Sequence, residues 1–135
     1  MNMYLTGITD EASDSLDRQI RVCAELGWQW IDLRTIGGVN ITNIADSEYD
    51  ALLAKLSEAG LRISSFGSAI ANWGRRVSDP LETDLEELGR AIPRMHKAGT
   101  KFLRIMSYRP EDGGSPDNLR TEVIRRLREI VRRAE

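Results

Sequence analysis

Three stretches with one shared local pattern decide the fold of this chain: AELGWQWIDL at residues 24–33, SEAGLRISSF at 57–66 and HKAGTKFLRI at 96–105. In each stretch a helical pattern ends at a glycine, and a short run of strand-forming residues follows. Glycine readily adopts the left-handed conformation that ends many helices. The glycines Gly27, Gly60 and Gly99 are 33 and 39 residues apart, which is typical of repeated strand–helix units.

The remaining sequence supplies the other elements of such units. Apolar residues at helical spacing predict four helices that begin near Ser13 or Asp14, at Ser47, at Asp79-Pro80 and at Ser115-Pro116. Pro93 lies inside the third helix and is expected to kink it or to split off its last turn. Strands are predicted at about residues 4–8, 30–35, 62–66 and 102–107. Four successive strand–helix units indicate a parallel sheet with right-handed crossovers.

Two architectures share this order of elements. One is a doubly wound sheet with helices on both faces, and the other is half of an eight-stranded (βα)8 barrel with helices on one face. A strand covered on both faces is almost wholly apolar. Here Ile31 and Leu33 alternate with Asp32 and Arg34, and the strand around Arg104 alternates in the same way. Because an unpaired buried charge is costly, the pattern favours the half-barrel, with helices outside and a polar mouth inside.

The length of the chain also fits half a barrel. A complete barrel has about 250 residues, whereas this chain has 135. The glycine spacing places a fourth helix-ending glycine at about residues 132–138, and the sequence ends at Glu135 within that window. We therefore expect residues 1–135 to form a single domain, the N-terminal half of a (βα)8 TIM barrel that is cut at the end of its fourth helix.

Composition and charge exclude several classes of protein. Hydrophobic residues make up 41% and charged residues 30% of the chain, and no run of about 18 apolar residues forms a membrane span. The N-terminus lacks the pattern of a signal peptide. The single cysteine, Cys23, excludes a disulfide framework, and the net charge of −2 provides no general attraction to nucleic acid or anionic membrane. We expect a cytoplasmic protein that binds neither nucleic acid nor membrane.

The same segments resemble a known family. Residues 7–13 are similar to its first strand and loop, and residues 25–34, 64–75 and 98–105 are similar to its second, third and fourth strands with their flanking segments. The family is the sugar phosphate isomerase/epimerase group of the xylose isomerase-like TIM barrels. The resemblance covers nearly the whole chain but only the N-terminal half of that fold.

This resemblance implies a metal-dependent isomerase or epimerase that acts on a sugar or sugar phosphate. Such an enzyme transfers a proton next to a carbonyl, through an enediolate that a divalent metal (Mn, Mg, Co or Zn) stabilises. The metal ligands of the family lie in the second half of the barrel, which has no counterpart here. The resemblance therefore implies a metal in the full-length parent, no metal and no catalytic residue in this chain, and no activity of the chain by itself.

Candidate substrate-binding residues follow from the rule that barrel sites lie at the carboxyl ends of the strands. The loop at residues 67–76 is the most informative, because serine and asparagine bind sugar hydroxyls, tryptophan stacks on a sugar face and arginine binds carboxylate or phosphate. The candidates are Glu11, Arg34, Ser68, Asn72, Trp73, Arg75, Arg104 and Ser107.

Structural roles compete with these assignments. Asp10 and Glu11 would favour a helix N-terminus, Asp32 would form an ion pair with Arg34 or Arg104, and Trp73 would pack for stability in a lid-like loop. His96, the only histidine, lacks other ligands at metal-binding spacing.

Two other functions compete with a sugar-binding role. The alternative function is a self-associating half-barrel without catalysis, in which two copies pair the open edges of the first and fourth strands, since unpaired edges promote aggregation. A nucleotide-binding doubly wound domain needs a glycine-rich fingerprint after its first strand, and residues 7–12 lack it. The expected partner is a small sugar or sugar-like substrate, with a homo-oligomer as the alternative.

Overall fold

The computed structural model describes residues 3–111 and 115–135, which form four α-helices, a parallel sheet and a short antiparallel hairpin. Within these residues the helices are α1 (Leu16–Leu26), α2 (Asp46–Glu58), α3 (Glu82–Ala98) and α4 (Pro116–Ala134). The strands are β1 (Trp30–Leu33), β2 (Thr35–Ile36), β3 (Val39–Asn40), β4 (Arg62–Gly67) and β5 (Phe102–Arg104). None of the described helices is long and apolar enough to cross a lipid bilayer.

The main sheet has the strand order β1-β4-β5, and all of its pairs are parallel. A bulge between Ile31 and Asp32 shifts the register of β1 against β4. β2 and β3 form a separate antiparallel hairpin around Gly37 and Gly38. Both glycines have a positive φ, 57° and 80°, which a tight hairpin turn requires. Asn40 ties the hairpin to the sheet, because its Nδ2 donates to the carbonyl of Gly67 at 2.9 Å.

The strand predicted at residues 4–8 is not formed. Only Ile8 makes a parallel bridge, to Asp32, and the amide of Asp32 donates to the carbonyl of Gly7 at 3.1 Å. Tyr4 stacks on Trp30 at 4.6 Å between ring centroids, but the segment has a strand neighbour on one side only. The strand predicted at residues 102–107 is also too long. It ends at Arg104 because its partner β4 ends at Gly67, the residue that pairs with Arg104.

The helix starts are partly corrected. α1 follows Ser15 rather than Ser13, whose hydroxyl accepts a hydrogen bond from the amide of Ser15 at 3.2 Å. α2 begins at Asp46, before the predicted Ser47 cap. The prediction for α4 is confirmed, with Ser115 before the first helical residue Pro116.

Residues 79–80 do not open α3, which begins at Glu82. The carboxylate of Asp79 instead accepts a hydrogen bond from the amide of Arg76 at 2.7 Å, and this bond closes a turn of the preceding loop. Pro93 lies inside α3 without dividing it.

The hydrophobic core lies on one face of the sheet. Ile31, Leu33 and Phe66 are fully buried there and pack against residues of α1 and α2, among them Cys23 and Tyr49. A second cluster joins the loop after β4 to α3 and α4; it consists of Ile70, Ala71, Val77, Leu88, Tyr108 and Ile130.

The opposite face of the sheet carries the residues that alternate with these buried ones along each strand. Trp30, Asp32 and Ser65 are only half-buried, and Phe102 is 65% exposed. Helices therefore cover one face of the described sheet, as in a half-barrel.

Candidate functional site

Arg34, Gly67 and Arg104 form one row at the carboxyl-terminal edge of the sheet. Gly67 pairs in register with Arg104, and Arg34 directly follows the residue of β1 that pairs with Phe66. Successive residues of a strand face opposite sides, and since Phe66 faces the core, Gly67 faces away from it. A Cβ atom at Gly67 would lie only 2.9 Å from Cβ of Arg34. The absence of a side chain at Gly67 thus makes room for the stem of Arg34, and we call these three residues the rim row.

The position of Arg34 in the rim row is fixed by Asp10. Its Nε donates to Oδ2 of Asp10 at 2.9 Å and its Nη2 donates to Oδ1 at 2.6 Å. Burial raises the pKa of Asp10, but the hydrogen bonds and the charge of Arg34 outweigh it and hold this pKa below 3.8. The hydrogen bond to Asp10 likewise raises the pKa of Arg34. Glu11, whose side chain is 70% exposed, lies 3.5 Å from the same Nη2 atom.

Asp32 makes neither of the ion pairs expected for it within the described residues. Its Oδ1 instead accepts a hydrogen bond from the hydroxyl of Ser65 at 2.7 Å, and Arg34 is bound to Asp10. The expectation is wrong because the bulge in β1 brings Asp32 directly opposite Ser65. A polar layer of Asp32 and Ser65 therefore lies below the rim row on the same face of the sheet.

Arg104 has a different environment from Arg34. No carboxylate lies within 4.0 Å of its guanidinium among residues 3–111 and 115–135. Its Nε atom is buried and has no hydrogen-bond partner in that part of the chain. The hydroxyl of Ser68 donates to the carbonyl of Arg104 at 2.7 Å, which fixes the backbone of the two strands at this level.

A buried cluster of charges anchors the loop that follows β4. Arg75 forms salt bridges with Asp84 and Glu87, at a distance of 2.5 Å for Glu87, and both carboxylates are fully buried on α3. Burial lowers the pKa of Arg75, but the hydrogen bonds to the two carboxylates reverse this effect and raise it. We call Arg75, Asp84 and Glu87, with Thr42 and Tyr108, the loop anchor.

Hydrogen bonds satisfy the remaining carboxylate oxygens of the loop anchor. The hydroxyl of Thr42 donates to Oε1 of Glu87 at 2.6 Å, and the hydroxyl of Tyr108 donates to Oδ2 of Asp84 at 2.6 Å. The backbone amide of Ala71 donates to Oδ1 of Asp84 at 2.9 Å. Burial and then the hydrogen bond to Asp84 raise the pKa of Tyr108 to about 12.

The loop anchor also holds two residues in an unfavourable backbone conformation. Ala71 and Tyr108 have φ values of 53° and 64°, in the left-handed region that costs a residue with a side chain about 1–2 kcal/mol. The amide of Tyr108 donates to the carbonyl of Ala71 at 2.6 Å. Since Asp84 binds both residues, it links the loop after β4 to the loop after β5.

Comparison with known proteins identifies the family. A family model described as xylose isomerase-like TIM barrel matches residues 20–135. The chain belongs to the xylose isomerase-like TIM barrel family. No curated protein matches the chain.

A solved xylose isomerase-like TIM barrel protein from Mycobacterium smegmatis, determined in complex with magnesium, has a similar fold. Its TM-score is 0.62 and its sequence identity is 22%, with 87% of this chain covered. The match covers 42% of that protein, so this chain spans less than half of its length. The half-barrel fold expected from the sequence is thus confirmed.

The TIM barrel fragment separates the eight candidate residues into three groups. Glu11, Arg34 and Arg104 lie at the carboxyl-terminal edge of the sheet. Ser68 and Arg75 lie behind it, with their polar atoms bound to other parts of the protein. The third group is exposed or lies on the loop surface.

In this third group, Trp73 is 66% exposed and Ser107 is exposed. The side chain of Asn72 accepts a hydrogen bond from the amide of Gly74 at 2.8 Å, which shapes the loop. Trp73 therefore does not pack into the interior of the described chain, and its indole faces solvent.

Sequence reasoning missed the carboxylates of the loop anchor in this family member. Asp84 and Glu87 occupy the same face of α3 as the buried Leu88 and Ala91. Acidic residues at helical spacing within an apolar stripe are the signal that would have found them, since buried carboxylates need partners. The described residues contain no group of three or more His, Cys, Asp or Glu side chains that could hold a metal ion.

Proposed function

We propose that this chain forms the substrate-facing wall of the N-terminal half of a metal-dependent sugar or sugar phosphate isomerase/epimerase. The rim row is the observation that supports this most strongly. It places charged side chains at the carboxyl-terminal edge of parallel strands, where TIM barrel enzymes bind substrates, in a chain that belongs to a TIM barrel family.

The role of these residues in the proposed function is to bind and orient the substrate. Arg34 is held rigid by Asp10, and a rigid donor loses little conformational freedom on binding. Trp73 offers an exposed indole for stacking on a sugar ring. The loop anchor fixes the loop after β4, which carries Trp73, against α3.

The proposed reaction moves a proton between the carbons next to a carbonyl, through an enediolate. The described residues do not fit a metal site, so we assign no step through a metal to this chain. In the proposal, the metal ligands and the acid and base groups belong to the part of the parent barrel that this chain does not contain.

Binding of a neutral sugar to the 135-residue chain tests the proposal. Saturation-transfer NMR with D-fructose and D-xylose is expected to detect contact, and Trp73→Ala is expected to weaken binding about twofold to tenfold, since aromatic stacking contributes about 0.5–1.5 kcal/mol. Leu26→Ala is the matched control, because Leu26 is also exposed and apolar but lies at the end of α1 that leads into the amino end of β1. Equal affinity of the two variants, or no sugar contact at all, would contradict the proposal.

Self-association without catalysis is a second candidate, favoured by the two edges of the sheet. Tyr4 and Leu5 beside β1 are 48% and 67% exposed, and Phe102 in the edge strand β5 is 65% exposed. Exposed apolar residues on open edges promote association. Sedimentation equilibrium decides this point, because a discrete dimer that Phe102→Lys converts to a monomer supports it and a wild-type monomer refutes it.

A further inference from the structure

Within the part of the chain that the structure describes, the guanidinium of Arg104 has no carboxylate partner, which distinguishes it from the other less exposed arginines. The other such arginines all bind a carboxylate: Arg34 binds Asp10, Arg75 binds Asp84 and Glu87, Arg94 binds Asp46, and Arg126 binds Glu122. In the described part of the chain, Arg104 binds none, and its buried Nε donates to nothing. A buried donor without an acceptor costs about 1–3 kcal/mol, so an acceptor absent from the described residues is expected at this position.

The chemistry of a guanidinium limits what this acceptor is. Arginine has donors only, and its planar fork matches two oxygens of one group. A carboxylate or a phosphate supplies two such oxygens together with a compensating negative charge, whereas a neutral hydroxyl supplies one oxygen without charge.

Within the described sheet, no side chain beside Arg104 supplies this acceptor. Its register neighbour is Gly67, which carries no side chain, and the next residue of the row, Arg34, is already neutralised by Asp10. Nothing on the neighbouring strand thus competes for the fork of Arg104.

We propose that Arg104 is the anchor of an oxyanion-binding site, and that it takes the carboxylate or phosphate group of a small sugar-like substrate. This inference rests on the proposed function for the sugar part of the ligand. The oxyanion part rests on the buried Nε of Arg104, which has no acceptor among the described residues, and the two parts are tested with different probes.

The direct test follows the Nε–Hε resonance of Arg104 by 15N NMR while inorganic phosphate, or in a parallel arm acetate, is added to the 135-residue chain. We expect a saturable shift of this resonance, with the tighter probe revealing whether the site prefers phosphate or carboxylate. Arg104→Gln is expected to weaken phosphate binding about tenfold or more, because it removes a charge-assisted pair of hydrogen bonds. Arg104→Lys is expected to retain part of the affinity as a point charge.

Arg128→Gln is the matched control, because Arg128 is exposed on α4 and its loss changes the net charge equally. An unchanged Arg104 resonance, or equal loss of phosphate affinity in Arg104→Gln and Arg128→Gln, would overturn the proposal. Urea unfolding shows whether Arg104→Gln is folded, and the wild-type resonance decides the question if it is not. Phosphate binding without D-fructose binding would refute the proposed function but keep the oxyanion site, and the reverse result would refute only the site.

Discussion

The three tyrosines of the chain provide a graded test of the loop anchor, because their hydroxyl groups have different acceptors. Tyr108 donates to the buried carboxylate of Asp84 at 2.6 Å, and Tyr49 donates to the backbone carbonyl of Arg94 at 2.7 Å. Tyr4 is 48% exposed, and its hydroxyl has no partner within the described residues. Replacement by phenylalanine removes only the hydroxyl in each case.

The expected losses follow from the acceptors. A hydrogen bond to a charged group contributes about 1.5–3 kcal/mol, and one between neutral groups contributes about 1 kcal/mol. Tyr108→Phe also leaves one oxygen of the buried Asp84 without this donor. We therefore expect the free energy of unfolding to fall by about 2 kcal/mol for Tyr108→Phe, by about 1 kcal/mol for Tyr49→Phe and by less than about 0.5 kcal/mol for Tyr4→Phe.

Urea unfolding followed by far-UV circular dichroism measures these differences. With a slope of about 2 kcal/mol per molar urea, Tyr108→Phe is expected to lower the midpoint by about 1 M relative to the wild type. Tyr4→Phe is the control for the substitution itself. The reasoning about the loop anchor would be refuted if Tyr108→Phe cost no more than Tyr4→Phe, or if Tyr49→Phe cost more than Tyr108→Phe.

Four other expectations concern pH, packing and metal. Burial, as the main cause, raises the pKa of Tyr49 and of Tyr108 from 10.0 to about 12. The neutral hydroxyl groups therefore stabilise the fold fully below pH 10, and the free energy of unfolding measured in urea should fall as the pH rises towards 12. A free energy of unfolding that does not change over this range would contradict these values. The burial of Asp10 is outweighed by the hydrogen bonds and the charge of Arg34, so its pKa is lowered. The ion pair therefore stabilises the fold above the ordinary pKa of an aspartate, this stabilisation is lost as the pH falls below it, and Asp10→Asn should remove this acid step. Gly67→Ala should push Arg34 away from Asp10 and lower the free energy of unfolding by about 1–3 kcal/mol. An Asp10 titration that is unchanged by 13C NMR would show instead that the side chain of Arg34 has room to move. Calorimetry with Mn²⁺ or Mg²⁺ should show no tight stoichiometric site, and a tight site would overturn the proposed division of the barrel.

The candidate site shows how far sequence reasoning reached. The rule that sites lie at strand ends correctly placed Arg34 and Arg104 at the edge of the sheet, because the end of a strand is a local property of the chain. It gave no partner for either arginine. Asp10, which holds Arg34, lies 24 residues away in the chain, and only the packing of the first loop beside β1 brings it near.

The loop after β4 has contacts that the sequence did not predict. Arg75 was expected to reach a substrate, but α3 brings Asp84 and Glu87 against it. Two buried carboxylates need a nearby cation and hydrogen-bond donors, and this need accounts for the two salt bridges of Arg75. No pattern within residues 67–76 records that burial.

The amino-acid sequence by itself determined the order of strand–helix units and the face of the sheet that the helices cover, because alternation and helix-ending glycines act over a few residues. The tertiary structure decided the length of each strand, the bulge beside Asp32, the room for Arg34 above Gly67 and the choice of ion pairs. These depend on groups that are distant in the chain, whose desolvation and charge interactions exist only once the sheet and helices have packed together.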